Sequence, residues 1–221
     1  MEKFANFFFI FMIIVIFIYF LKNKNRDVSL VEASMDGDKY LVRNLPDRKE
    51  AANRLAFIRS KLTEVVAKLK PEVNTSKQLF DKYVKGDKEL METLNYEEFT
   101  SSLTQLLNKY KDRPSTFSES TPDAKYTSYS VNKGEQLVFC LRLKKEGDKL
   151  VPKNTILFVA LHELSHLMTK TIGHGKDFWN NFRFILKVAI DYDIYKSVDF
   201  NSNPKPYCGM EITDTPFLPK N

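Results

Sequence analysis

The sequence predicts an α+β fold: a helical N-terminal half, then a β-hairpin or small sheet ahead of one buried helix, with a separate apolar segment at the N-terminus. Three observations carry this expectation. Apolar residues recur at three- and four-residue intervals from Arg48 to Leu69, β-rich runs flank a turn at Asn132-Lys133-Gly134, and residues 4–21 contain no charge. The composition is ordinary for a globular protein, 43% hydrophobic and 28% charged, and 7 Gly with 9 Pro exclude a collagenous or low-complexity chain. A length of 221 residues fits one domain with a small appendage and excludes a large multidomain assembly.

Taken in order, Phe4 to Leu21 (FANFFFIFMIIVIFIYFL) would rise about 27 Å as a helix, enough for a bilayer core. This predicts a transmembrane helix. No A-x-A-like site follows it and Lys22, Lys24 and Arg26 stop it abruptly, which favours an uncleaved anchor over a signal peptide. Those three charges against Lys3 place the C-terminal body on the cytoplasmic side of a single-pass membrane protein. The expected organisation is an anchor at 1–21, a juxtamembrane linker or arm at 22–46, a helical subdomain and loop at 47–124, and a core with an extended C-terminal tail at 125–221.

Within the arm, Tyr40-Leu41-Val42 is a short apolar stretch, and Asn44-Leu45-Pro46-Asp47 reads as a turn into a helix. The stripe of Ala51, Ala52, Leu55, Ile58, Leu62, Val65, Val66 and Leu69 defines that helix, which Pro71 ends. Shorter helical patterns follow at about 76–84, 88–94 and 97–110. Residues 111–124 are rich in Ser, Thr, Pro and Asp without periodicity and read as a surface loop. Residues 126–131 and 136–142 read as a hairpin, whose second run is either an ordinary sheet strand or an edge strand able to bind an extended peptide. Asn154 or Thr155 then caps a helix that is apolar around most of its surface, and a second helix is expected at about 176–192. The last twenty residues read as an extended tail with Tyr207-Cys208-Gly209 as a fixed point.

Net charge is +6, from 34 Lys+Arg and 28 Asp+Glu. No Arg-rich run with interleaved aromatics accompanies it, so nucleic-acid binding has no motif behind it, and the juxtamembrane lysines suit lipid headgroups. Cys140 and Cys208 show no metal-type spacing and fit buried or free thiols in a reducing compartment, with one disulfide between them left open.

On the apolar helix stands His162-Glu163-Leu164-Ser165-His166, an H-E-x-x-H pattern. Its two histidines lie one helical turn apart on one face, where both imidazoles can reach one Zn²⁺, and Glu163 projects beside them as a general base. Eight residues on, His174 stands between Gly173 and Gly175, which let the backbone fold back and supply a third ligand. These are the only three histidines in the chain. Asp177 and Asp191 are alternative third ligands or partners that orient a histidine. Tyr192, Tyr195 and Tyr207 all lie downstream, where a buried tyrosine ordinarily meets a backbone carbonyl. Cys208 is either a thiolate reaching the metal or a small buried hydrophobe.

The stretch HELSHLMTKTIGHGKDFW resembles the active-site signature of the zincin metallopeptidases, in particular the compact WLM and SprT-like types, over about 18 residues. Those families continue with a Gly-His pair and then an aromatic, as Gly173-His174 and Phe178-Trp179 do here. The resemblance implies a zincin-like metallopeptidase domain, Zn²⁺ held by His162, His166 and His174, Glu163 as the base, a tyrosine (Tyr192, Tyr195 or Tyr207) stabilising the oxyanion, and a protein or peptide substrate. His174 falls eight residues after His166 rather than the six of the metzincin pattern, and the zinc-ribbon cysteines of the SprT type are missing. The expectation is therefore a membrane-anchored zinc metallopeptidase. Its rivals are a membrane-anchored scaffold that retains a structural zinc site and a DNA-associated protein-processing factor. Oligomeric state is not legible in the sequence.

Overall fold

Alternation in Lys39–Arg43 buries Tyr40 and Val42 and leaves Lys39 and Leu41 in solvent, so one face of this strand meets the core and the other is open. In the computed structural model, which describes residues 9, 11–16 and 27–219, this strand (β2) pairs antiparallel with β1 (Val28–Glu32), Leu30 facing Leu41. Residues 28–43 thus supply two strands of the main sheet, where the sequence suggested a linker with a short entry strand or arm. Helix α1 (Arg48–Lys68) follows and lays Leu55, Ile58, Leu62 and Val65 into the core, as its spacing predicts.

Four helical pieces follow: α2 (Ser76–Leu79), a π-helical turn (Phe80–Val84), α3 (Lys88–Met91) and α4 (Tyr96–Lys109). Their starts are set by side-chain caps, with capping boxes at Thr75/Gln78 and Asn95/Glu98 and Asp87 accepting from two backbone amides. β3 (Phe117–Glu119) lies inside the stretch expected as surface loop. It runs parallel to both β2 and β5 (Gln136–Phe139), at the centre of a five-stranded sheet of order β1-β2-β3-β5-β4, with β4 (Tyr129–Val131) closing the edge. The edge strands are therefore β1 and β4. β5, in the second run of the hairpin, is interior, the ordinary sheet strand of the two alternatives and not a free edge for an extended peptide.

Glu119 explains why a polar-looking segment sits in the middle. Its carboxylate accepts from Arg142 Nε (2.7 Å) and from the Arg43 amide (2.7 Å), and Arg142 also pairs with Asp47 (2.5 Å). Both Glu119 and Arg142 are buried, so the charges that hide β3 from pattern reading are neutralised internally. Two short strands, β6 (Arg142–Leu143) and β7 (Lys149–Leu150), lead into α5 (Lys153–Met168), then α6 (Lys176–Asp191) and the hairpin β8 (Lys205–Tyr207) and β9 (Met210–Ile212). The N-cap of α5 is Pro152 rather than Asn154 or Thr155, and Asn154 instead pairs with the Lys196 backbone. One continuous core joins the helical half to the sheet and to α5.

Two expectations are corrected. Among the described residues no helix is long and apolar enough to cross a membrane. Part of the expected span lies outside the described residues. A transmembrane anchor, and with it a single-pass topology with a cytoplasmic body, is not upheld. Secondly, Cys140 and Cys208 are joined in a disulfide across 68 residues, so neither is a free thiol and Cys208 is not a metal ligand.

Candidate metal centre

Helix α5 is apolar on nearly all sides because every side has a neighbour: Ile156, Leu157, Ala160, Leu161, Leu164 and Leu167 are all buried. His162 and His166 are one turn apart on its single partly open strip. The chain leaves the helix after Met168 and turns at Gly173, whose φ of +89° lies in the left-handed region that glycine occupies without strain. His174 is thereby brought back over α5. The ligand-capable ring nitrogens of His162, His166 and His174 all lie within 4.8 Å of one another, with His162 Nε2 and His174 Nε2 3.1 Å apart. Phe178, on the first turn of α6, forms the floor, its ring centroid 4.3–4.7 Å from each of the three imidazoles. Pattern reading assigns Phe178 to the core only, since the helical period shows that it is buried and not what it touches.

The electrostatics suit a cation. Burial, then the neighbouring imidazoles, lowers His162 to about 3. Burial again comes first for His166, lowered to about 4, followed by His174 and the Lys133 ammonium, and burial lowers His174 as well. All three rings are thus neutral at pH 7, with lone pairs available as donors. Burial raises the Glu163 carboxyl to about 8, and among the described residues its Oε2 has no hydrogen-bond partner. Three neutral imidazoles beside an unpartnered carboxyl are a donor set that fits Zn²⁺.

The other candidates separate cleanly. Asp191 is engaged by Lys82 and Tyr83, and Asp177 accepts from Thr171 Oγ1 (2.6 Å), so neither joins the cluster. Tyr192 meets Asn74 and lies under Lys68 and Lys82, while Tyr195 packs on Phe158. Tyr207 is the one of the three whose hydroxyl feels the Glu163 charge. Burial raises its hydroxyl well above the usual range, with the Glu163 charge adding to the shift, and that hydroxyl bonds Ser128 Oγ (2.5 Å).

A pH dependence follows for the metal-free protein. Glu163 keeps its proton to about pH 8 when folded but ionises near 4.5 when unfolded, so its stabilising contribution is present below pH 4.5 and lost as pH rises to 8. Glu163→Gln carries no such penalty. Its stability relative to wild type is expected to rise by about 3 kcal/mol between pH 5.5 and pH 9, read from urea melts in chelator. His162 and His166 act oppositely in both proteins, withdrawing stability as pH falls from 6.5 toward 3, because the unfolded chain takes up protons that the buried rings refuse. Parallel pH curves for the two proteins would refute a buried, proton-retaining Glu163.

No family model matches the sequence, and no solved structure matches the fold. Among curated proteins the chain is 33% identical to the uncharacterized protein R325 of Acanthamoeba polyphaga mimivirus over 203 residues, 91% of each chain. It is also 33% identical over 69 residues to the uncharacterized protein 136R of Invertebrate iridescent virus 6, covering 31% of this chain and 38% of that protein. With the uncharacterized protein 042R of Invertebrate iridescent virus 3 it shares 32% identity over 85 residues, 38% of this chain and 50% of that one. The match to the mimivirus protein runs almost end to end, and the chain belongs to the family of that protein.

Proposed function

We propose that this chain is a zinc-dependent metallopeptidase, hydrolysing peptide bonds at the site built by His162, His166, His174 and Glu163. One observation carries the reading: three neutral imidazoles converge on a point beside a buried carboxyl, which purely structural zinc binding does not require. Bound at the three histidines, zinc would acidify water and polarise a carbonyl. Beside a bound divalent cation Glu163 would ionise, and its carboxylate would take the proton of the attacking water and return it to the leaving amine. Phe178 packs against all three rings and limits their rotation. His174 is the exposed member of the set, which leaves the cluster open to solvent on its side.

The test is to purify the full-length chain, measure its metal by elemental analysis and follow cleavage of a mixed peptide library by mass spectrometry. Stoichiometric zinc is expected, with cleavage that stops on chelation and returns when zinc is restored. A chain that takes up no zinc, or whose zinc supports no cleavage of any peptide, overturns the proposal.

A further inference from the structure

The loop that joins the second and third histidines is held from outside by side chains that the proposed chemistry does not use. Helix α5 ends at Met168, and its final carbonyls need partners. Gln105, on α4, donates from Nε2 to Leu167 O (2.9 Å) and Thr169 O (2.9 Å). Lys133, at the tip of the β4–β5 hairpin, donates from Nζ to Thr169 O (2.9 Å), Lys170 O and Thr171 O (3.3 Å). Four of the five carbonyls from Leu167 to Thr171, all but that of Met168, are thereby held by two remote elements. From the other side Asn181 on α6 donates to Thr169 Oγ1 (3.0 Å), which itself donates to Ser165 O (2.8 Å).

The hairpin is built for this reach. Asn132 and Lys133 both take positive φ (46° and 50°) in the four-residue loop between the paired ends Val131 and Gln136, where Val131 O accepts from the Gly134 and Glu135 amides. At Gly134 a Cβ would stand 2.8 Å from Lys109 O and 3.2 Å from the Leu167 side chain, so only glycine lets the tip press against the end of α5. A lysine at a helix C-terminus also meets the negative end of the helix dipole. Ordinary turn chemistry would not place an ammonium against three carbonyls of another segment.

We infer that Lys133, seconded by Gln105, is a positioning residue of the metal centre: it clamps the loop 169–173 so that His174 stands opposite His162 and His166 before any ligand arrives. The inference rests on the metallopeptidase reading and deepens it. A third ligand on a loose loop must be ordered at the moment of binding, whereas a clamped one is ordered already, and the difference appears as affinity. Ile172, 95% exposed at the tip of the same loop, makes no such anchoring contact, so the polar clamp holds the loop where apolar burial does not.

The experiment measures Zn²⁺ affinity by chelator competition, and the absorption spectrum with Co²⁺, for full-length wild type, Lys133→Met, Lys133→Arg, Gln105→Leu and the exposed control Lys170→Met. Circular dichroism and melting report the folded fraction of each. Lys133→Met is expected to weaken zinc binding about tenfold and to alter the cobalt spectrum while remaining folded. Lys133→Arg, which still donates to carbonyls, recovers most of the affinity, and Lys170→Met behaves as wild type. Should Lys133→Met not fold, the Gln105→Leu affinity and the Lys133→Arg rescue decide the matter. Wild-type affinity and spectrum in Lys133→Met and Gln105→Leu overturn the clamp and leave the metallopeptidase reading standing. No zinc uptake by wild type overturns both.

Discussion

Glu163→Gln in the full-length chain is expected to retain stoichiometric zinc and to lose peptide hydrolysis by about a thousandfold, within the range contributed by a positioned general base. The two halves of this expectation have separate causes. Zinc is retained because the three donor nitrogens belong to His162, His166 and His174, which Phe178 packs in place independently of the carboxyl. Activity falls because glutamine cannot accept the proton of the attacking water. Steady-state cleavage and elemental analysis on the same preparation check both halves. His174→Ala serves as the contrast, since removing a donor should take metal and activity away together. A Glu163→Gln protein that cleaves at the wild-type rate would falsify the assigned role, and one that has lost its zinc would place Glu163 among the ligands instead.

The site was the most legible part of this sequence, and the reasons are local. Two histidines four apart on a helix must share a face, and a histidine between two glycines can be swung back, so His162, His166 and His174 come together without knowledge of the rest of the fold. Helix α1 was legible for the same reason, its apolar stripe having a period that no other structure shares. β3 was not, because three residues with serine and glutamate at two positions carry no periodic signal, and only the remote Arg142 makes a buried Glu119 affordable. Lys133 and Gln105 look like solvated surface residues in sequence, since what gives them a role is the proximity of α5's last carbonyls, 36 and 62 residues away. The choice among three tyrosines was equally closed to sequence. It depends on where a chain segment near the C-terminus is fastened, and spacing alone left the pairing of Cys140 with Cys208 open.

Breaking that fastening should have the second large effect. Reduction, or Cys208→Ser, is expected to lower unfolding stability by about 4 kcal/mol, as chain-entropy arguments give for a closed loop of 68 residues. The melting temperature should fall by about 10 °C in a chain of this size. Cys140 directly follows β5 and Cys208 occupies the turn of the β8–β9 hairpin, at φ +50° beside Gly209 at +85°. Each strand of that hairpin is three residues long, and a two-stranded hairpin is marginal by itself, so the crosslink and the Ser128–Tyr207 hydrogen bond hold it down. Amide exchange should accordingly quicken first at residues 205–212. The consequence reaches the candidate metal centre through Tyr207, a buried residue whose hydroxyl feels the Glu163 charge. Once the hairpin lifts, water reaches the carboxyl, and the burial that holds it near pH 8 is relieved. The pH-dependent stability gap between wild type and Glu163→Gln should then shrink in reduced protein, as expected if one crosslink remote from the three histidines sets the environment of Glu163. Identical melting of oxidised and reduced protein would show the hairpin secured by packing alone, and an undiminished gap would show that Glu163 owes its burial to α5 and its neighbours and not to the tail.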